Sequence, residues 1–215
     1  MTNKEMVALY DNGMVRRRDG RAIYDDLMTA HPTQRCSFCG HRTVSTLDHH
    51  LPKTVYSALT VVPSNLVPAC KDCNKIKGTR TPATATEEPI HPYFEDLEAD
   101  LWLHARVEPL SPATFVFFVS APDAWSPTLA ARVRNHFFDF ELDFFYGALA
   151  ADELIGIRGS LIDHFGAGGA EGTARVVVHL QREAASRHSA RVNSWQTAMY
   201  SAMASDAWFC SGGFQ

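Results

Sequence analysis

The chain has 215 residues, 46% of them hydrophobic and 11% aromatic, which excludes a disordered polypeptide and allows one large core or two modest ones. Its formal net charge of −4 at neutral pH excludes a surface coated in positive charge. No run of 18 apolar residues and no basic-then-apolar start occurs, so the expectation is a cytoplasmic chain that makes no use of a membrane.

In chain order, residues 1–34 read as an N-terminal helical segment. It has two pieces, "NKEMVALYDN" and "RAIYDDLMTAH", separated at "NGMVRRRDG" and stopped by Pro32. Residues 35–80 hold all the unusual chemistry and are expected to form a compact unit. Residues 81–125 begin within "TRTPATATEEP", which starts at Thr79 and reads as an aperiodic linker or extended wrap, after which "IHPYFEDLEADLWLHA" predicts the start of a short helix. The aromatic and β-branched "FVFFVSAP" predicts a buried strand, paired with "LHARVEPL" across the Ser111-Pro112 turn. Residues 126–215 read as a helical C-terminal region. Ser126-Pro127 supplies a cap, apolar residues then recur every three or four positions as far as Phe165, and "GAGGAEGT" breaks the run before two further amphipathic helices. No motif in this last region names a chemistry, and its aromatics are expected in the core.

The middle segment is different. Four of the five cysteines form two Cys-x-x-Cys pairs, Cys36/Cys39 in "CSFC" and Cys70/Cys73 in "CKDC", while Cys210 has no partner. Each pair can grip one ion from a tight turn, and two pairs complete the tetrahedral thiolate shell that Zn2+ takes in structural sites. A redox pair is the other reading, but two pairs at this separation favour zinc. With four thiolates filled, that ion has no open position for water and would serve as a staple. The segment carries seven basic residues against two acidic ones, whereas residues 81–215 carry a net −9. Such an asymmetry suits a polyanion meeting the middle of the chain.

Between the knuckles, "RTVSTLDHH" reads as a strand ending on Asp48 and His49, "NLVPA" as a second extended stretch, and "CNKIKG" as a short helix ending at Gly78. Asp48 and Asn74 are thereby tethered to the same zinc scaffold, where they can meet. Alternation along the strand should turn His50 away from His49. His91, in "IHPYF", is expected to play a supporting packing role.

The string "CSFC…LDHHLPK…NLVPACKDCNKIKG" resembles the HNH endonuclease family, specifically its four-cysteine ββα-metal type, over about residues 35–80. The resemblance implies an α+β fold, with a ββα-metal core on a four-cysteine zinc site formed by Cys36, Cys39, Cys70 and Cys73. It also implies that His49 is the general base, that Asp48 and Asn74 hold a catalytic Mg2+ or Mn2+, and that Asn65 steadies the His49 loop. Hard oxygen ligands and an imidazole with a pKa of about 6.5 suit those roles independently of the family. Lys53, Lys71, Lys75, Lys77 and Arg80 would grip the nucleic-acid backbone without reading bases. The expected activity is hydrolysis of DNA phosphodiester bonds, and the arrangement also looks like nuclease subunits of bacterial anti-phage systems that work with an ATPase partner. The alternative is a non-catalytic zinc ribbon that binds nucleic acid or serves as an interaction subunit.

Overall fold

The computed structural model describes residues 2–215, a mixture of helices with two small antiparallel sheets. The chain divides into two compact units. The first runs up to Asp96 and takes in Pro127–Phe140; the second consists of Leu97–Ser126 and Glu141–Gln215. Among the described residues no helix is long and apolar enough to cross a membrane.

The first unit opens with α1 (Asn3–Leu9), whose start is sealed by a capping box between Thr2 and Glu5. A π-helical stretch, Tyr10–Val15, fills the expected break, and α2 follows at Arg18–Thr29. Next come β1 (Thr46–His49) and β2 (Leu66–Ala69), paired antiparallel with Asp48 opposite Val67 and His49 opposite Leu66. The helix α3 (Lys71–Lys77) follows directly and ends on Gly78, whose φ of 58° favours a residue without a Cβ. A small core joins these parts: Tyr10 and Met14 pack with Leu47 and Leu66, flanked by Tyr24, Leu27, Met28 and Val61. The N-terminal helices therefore cover the hairpin that carries Asp48 and His49.

Two expectations for this part of the chain are corrected. No helix forms across 90–102; the segment runs through turns. The Glu95 carboxylate accepts the His91 backbone N–H and pairs with Arg132, while the Tyr93 hydroxyl donates to the Leu66 carbonyl. The side chains that gave the segment its helical look thus anchor irregular backbone instead. The apolar period running from Pro127 to Phe165 also belongs to two helices, α4 (Pro127–Asp139) and α5 (Leu142–Phe165). Glu141 adopts a left-handed conformation, φ 52°, between them. No glycine or proline marks the break. The helix α4, placed by sequence with the C-terminal region, packs within the first unit, where Arg132 also holds the carbonyls of Glu88 and Pro89 in the extended wrap.

The second unit contains the hairpin β3 (Leu103–Glu108) and β4 (Thr114–Val119), with Val107 opposite Phe115 and Ala105 opposite Phe117. Leu103, Val107, Phe115 and Phe117 make its buried face, against which α5 and α7 (Trp195–Ser205) pack. The helix α6 (Gly169–Ala190) begins inside the glycine-rich break and lies along α7. Asn193 is buried and ties the entry to β3: its side-chain oxygen accepts from the backbone of Trp102 and Leu103, and its amide donates to the carbonyls of Leu97 and Asp100.

Candidate metal and hydrolytic site

The four cysteines of the two knuckles come together. Their sulfur atoms lie within 4.8 Å of one another, and all four residues are buried. Backbone N–H groups point at two of the sulfurs, Arg42 N at Cys39 Sγ (3.4 Å) and Cys73 N at Cys70 Sγ (3.3 Å). Such a closed set of soft donors could hold a metal ion such as zinc and leaves no position for a reacting water. The second knuckle also starts α3, because Cys70 occupies the helix N-cap and Ser45 Oγ accepts the Lys71 N–H at 3.0 Å. On the other side, His136 of α4 donates from Nε2 to the Phe38 carbonyl at 2.8 Å, clamping the first knuckle.

From that staple the chain delivers a set of polar side chains. Thr46 and Asp48 alternate onto one face of β1. Asn74, immediately after Cys73, reaches that face through Nδ2 to Thr46 Oγ1 at 3.4 Å. Lys77, one turn further along α3, places its ammonium 2.9 Å from Asp48 Oδ2 and donates to the His49 carbonyl at 2.7 Å. Asp48 is 3% exposed, and Oδ2 has the ammonium beside it without a well-directed hydrogen bond. Burial pushes its carboxyl above the usual range, opposed by Lys77. Asp48 is thus a buried carboxylate balanced by an ammonium, and Asn74 reaches the same strand face at Thr46; a carboxylate and a side-chain amide oxygen are donors of the kind that a hard cation takes.

His49 points to the other side of the strand. Its Nε2 lies 2.8 Å from the Thr60 carbonyl, and its ring meets the edge of Tyr10 at 4.6 Å between centroids. A carbonyl only accepts, so Nε2 carries the hydrogen and Nδ1 keeps its lone pair. Burial depresses the imidazole pKa, with Lys53 and Lys77 adding to the effect, so the ring is neutral at pH 7. Asn65 holds the intervening loop closed: its Oδ1 accepts Leu51 N at 2.8 Å, and its Nδ2 donates to the carbonyls of Leu51 and Leu59, both at 3.1 Å. The structure thus places Asp48, Asn74 and Lys77 on one side of β1 and His49 at its end, with Asn65 behind the loop that carries the His49 acceptor.

His50 turns to a different neighbour, His91, with 4.1 Å between ring centroids. Burial, helped by nearby positive charge, pushes its pKa down to about 3. His91 spends Nε2 on the Ser64 carbonyl at 3.0 Å, and its Nδ1 accepts from Tyr93 N at 3.3 Å, so it props the end of the loop. Among the five basic residues grouped by sequence, Lys71, Lys75 and Arg80 are exposed, although Arg80 is paired with Asp139 at 2.6 Å. Lys53 lies over the Tyr10 ring at 4.7 Å. Lys77 is turned inward, its side chain 8% exposed, and offers nothing to solvent. Sequence reasoning missed Tyr10, Thr46 and Thr60. The inward turn of Lys77 had a signal, since residues three apart on a helix share a face and Asn74 faces β1.

The site therefore belongs to a mixed α/β protein with a buried four-cysteine cluster able to take a metal ion. No protein-family model matches the chain, and no solved structure matches it. It is similar to Protein ea31 of Escherichia phage lambda, 30% identical over 142 residues, which cover 64% of this chain and 48% of that protein. The matched region thus spans about half the length of that relative.

Proposed function

We propose that the chain is a metal-dependent endonuclease of the HNH type, with β1, β2 and α3 as its ββα-metal core and DNA phosphodiester bonds as its substrate. The observation that carries this reading is the state of His49. Its ring is held by the Thr60 carbonyl through Nε2, which leaves a neutral Nδ1 as a base at the end of a strand whose preceding residue is a buried carboxylate. Nδ1 takes a proton from water as the water oxygen bonds to phosphorus. The P–O3′ bond breaks, leaving a 5′-phosphate, and the departing oxygen takes a proton from a second solvent water to become a 3′-hydroxyl. Asp48 and Asn74 would hold Mg2+ or Mn2+, which when bound neutralises charge on the phosphate and the leaving oxygen. Asn65 keeps the Leu51–Leu59 loop closed, so that Thr60 stays in place to orient His49. The zinc held by Cys36, Cys39, Cys70 and Cys73 does no chemistry in this scheme. Lys71, Lys75 and Arg80 supply exposed positive charge for the nucleic-acid backbone.

Likeness to a phage-encoded protein supports a setting in conflict between phage and host, in which an ATPase subunit would be the partner. A second reading has one observation in its favour. The Asp48–Lys77 ion pair is a sufficient structural reason for a buried carboxylate, as expected of a non-catalytic zinc ribbon. Incubation with supercoiled, linear and single-stranded DNA, in Mg2+, Mn2+ or chelator, separates the two. Nicked product in the presence of either cation and none with chelator supports the nuclease; absence of product from every substrate supports the ribbon.

A further inference from the structure

The ammonium of Lys77 lies against the carboxylate to which a divalent cation would have to come. Its Nζ is 2.9 Å from Asp48 Oδ2 and donates to the His49 carbonyl at 2.7 Å, and the two paired side chains are only 8% and 4% exposed. An ion bound to that oxygen at the usual Mg–O distance of about 2.1 Å would stand within about 5 Å of the ammonium. At such a separation a double and a single positive charge oppose each other strongly, and burial weakens the screening between them. A buried carboxylate with no cation beside it is equally unfavourable. Lys77 also has somewhere to go. It lines a cleft of about 330 Å3 within the first unit, together with Arg80, Glu87, Asn135 and Asp139. The Arg80–Asp139 pair in that cleft is exposed at both partners and therefore weak, so the carboxylates there can accept a second ammonium. A flexible four-carbon stem allows the move.

We propose that Lys77 is a built-in counter-cation that exchanges with the divalent cation: the ion takes its place at Asp48, and the ammonium swings out into the cleft. The inference rests on the reading of Asp48 as a cation ligand and adds a regulation to that site. Exchange keeps Asp48 neutralised in both states, so neither leaves a bare carboxylate in the interior. It also releases the His49 carbonyl, so Lys77 pins the strand end that carries the base until the ion binds. Linkage makes the effect reciprocal: whatever draws the ammonium outward, a substrate phosphate included, tightens the hold on the ion by the same factor. A lysine that served only as the structural partner of Asp48 would stay where it is.

The test reads Lys77 itself, in the full parent chain, so that it does not depend on a variant that folds. The protein is treated with a sparing dose of acetic anhydride, with and without Mg2+, and the acetylation of each lysine is measured by peptide mass spectrometry. Lys71 and Lys75 are exposed and serve as internal references. Lys77 should be protected without Mg2+ and about tenfold or more reactive with it, while Lys71 and Lys75 do not change. Alongside, Mn2+ binding is followed by loss of the free-ion electron paramagnetic resonance signal in the parent and in Lys77→Met, with circular dichroism to show that the variant is folded. Removing the competing charge should tighten Mn2+ by about tenfold or more, and Mn2+ should raise the melting temperature of the variant by more than that of the parent. Mn2+ bound by the parent while Lys77 stays protected overturns the exchange and leaves the hydrolytic reading standing, as does equal affinity in parent and variant. Mn2+ bound by neither protein overturns both.

Discussion

Each compact unit hangs a stretch of irregular backbone on one buried asparagine, and the two differ in what stands beside them. In the second unit Asn193 makes four hydrogen bonds to the chain around Leu97–Leu103 and sits at the edge of an apolar core. In the first unit Asn65 makes three hydrogen bonds to the loop between β1 and β2, with Asp48, His50 and Thr60 also buried nearby. His50 Nδ1 is buried there without a hydrogen-bond partner, as is Trp102 Nε1 near Asn193, whereas Asp48 Oδ2 has the Lys77 ammonium beside it at 2.9 Å. A fully satisfied buried amide is a structural device. The difference in the first unit is a buried, ion-paired carboxylate and an imidazole oriented by a backbone carbonyl, the kinds of group whose titration burial shifts.

The comparison predicts that damage to the first unit should be deep. If the four cysteines hold an ion, Cys36→Ser or a strong chelator would open the two knuckles, and metal binding of this kind is worth about 10–16 kcal/mol of apparent folding free energy. Zinc content by mass spectrometry should fall from about one per chain to none. The near-UV spectrum should lose the signals of the first unit while the helical signal of the second persists. A variant that keeps its structure with the metal gone would remove the staple from the account. Next in size is Lys77→Met, which leaves the Asp48 carboxylate buried without its cation and should cost about 3–5 kcal/mol in chemical denaturation. Retained stability would mean that Asp48 finds other compensation.

Smaller and more discriminating is the pair Asn65→Ala and Asn193→Ala. Each strands several buried backbone groups and should destabilise by about 2–3 kcal/mol. If the first unit is the catalytic one, Asn65→Ala also abolishes cleavage at temperatures where it is folded, and Asn193→Ala leaves cleavage unchanged. Equal effects on activity would erase the distinction between the two asparagines. The finest effect concerns pH. Burial lowers the His49 pKa below its ordinary 6.5, so Nδ1 remains a free base through neutrality and is lost only as pH falls through that depressed value. The rate should be flat near pH 7 and drop on the acid side below 6.5; an acid limb centred above 6.5 would contradict the burial argument.

The sequence made some of this legible and hid the rest for physical reasons. Two Cys-x-x-Cys pairs announce a tetrahedral cluster because the spacing is local, and the structure does gather those four sulfurs. The hairpin about Ser111-Pro112 was readable from the aromatic and β-branched content of its second strand, and Leu103, Val107, Phe115 and Phe117 are indeed buried on one face. The break between α4 and α5 was not, because Glu141 takes up a left-handed conformation without any glycine to announce it. The acceptor for His49 is a backbone carbonyl, which leaves no mark in a sequence. Tyr10, far from His49 along the chain, reaches it through a core formed only once the N-terminal helices cover the hairpin. Lys77 was expected to grip the nucleic-acid backbone, yet the helical repeat sends it to the same face as Asn74, and there it meets Asp48.

The most direct measurement is single-turnover nicking of supercoiled DNA in Mg2+ by the parent and by His49→Ala, with zinc content and melting temperature determined on the same samples. The account predicts that His49→Ala retains its zinc and its melting transition and loses about 10²-fold or more of the nicking rate, as expected when a positioned general base is removed. Nicking by His49→Ala at the parental rate, from a protein equally folded and equally loaded with zinc, would contradict it.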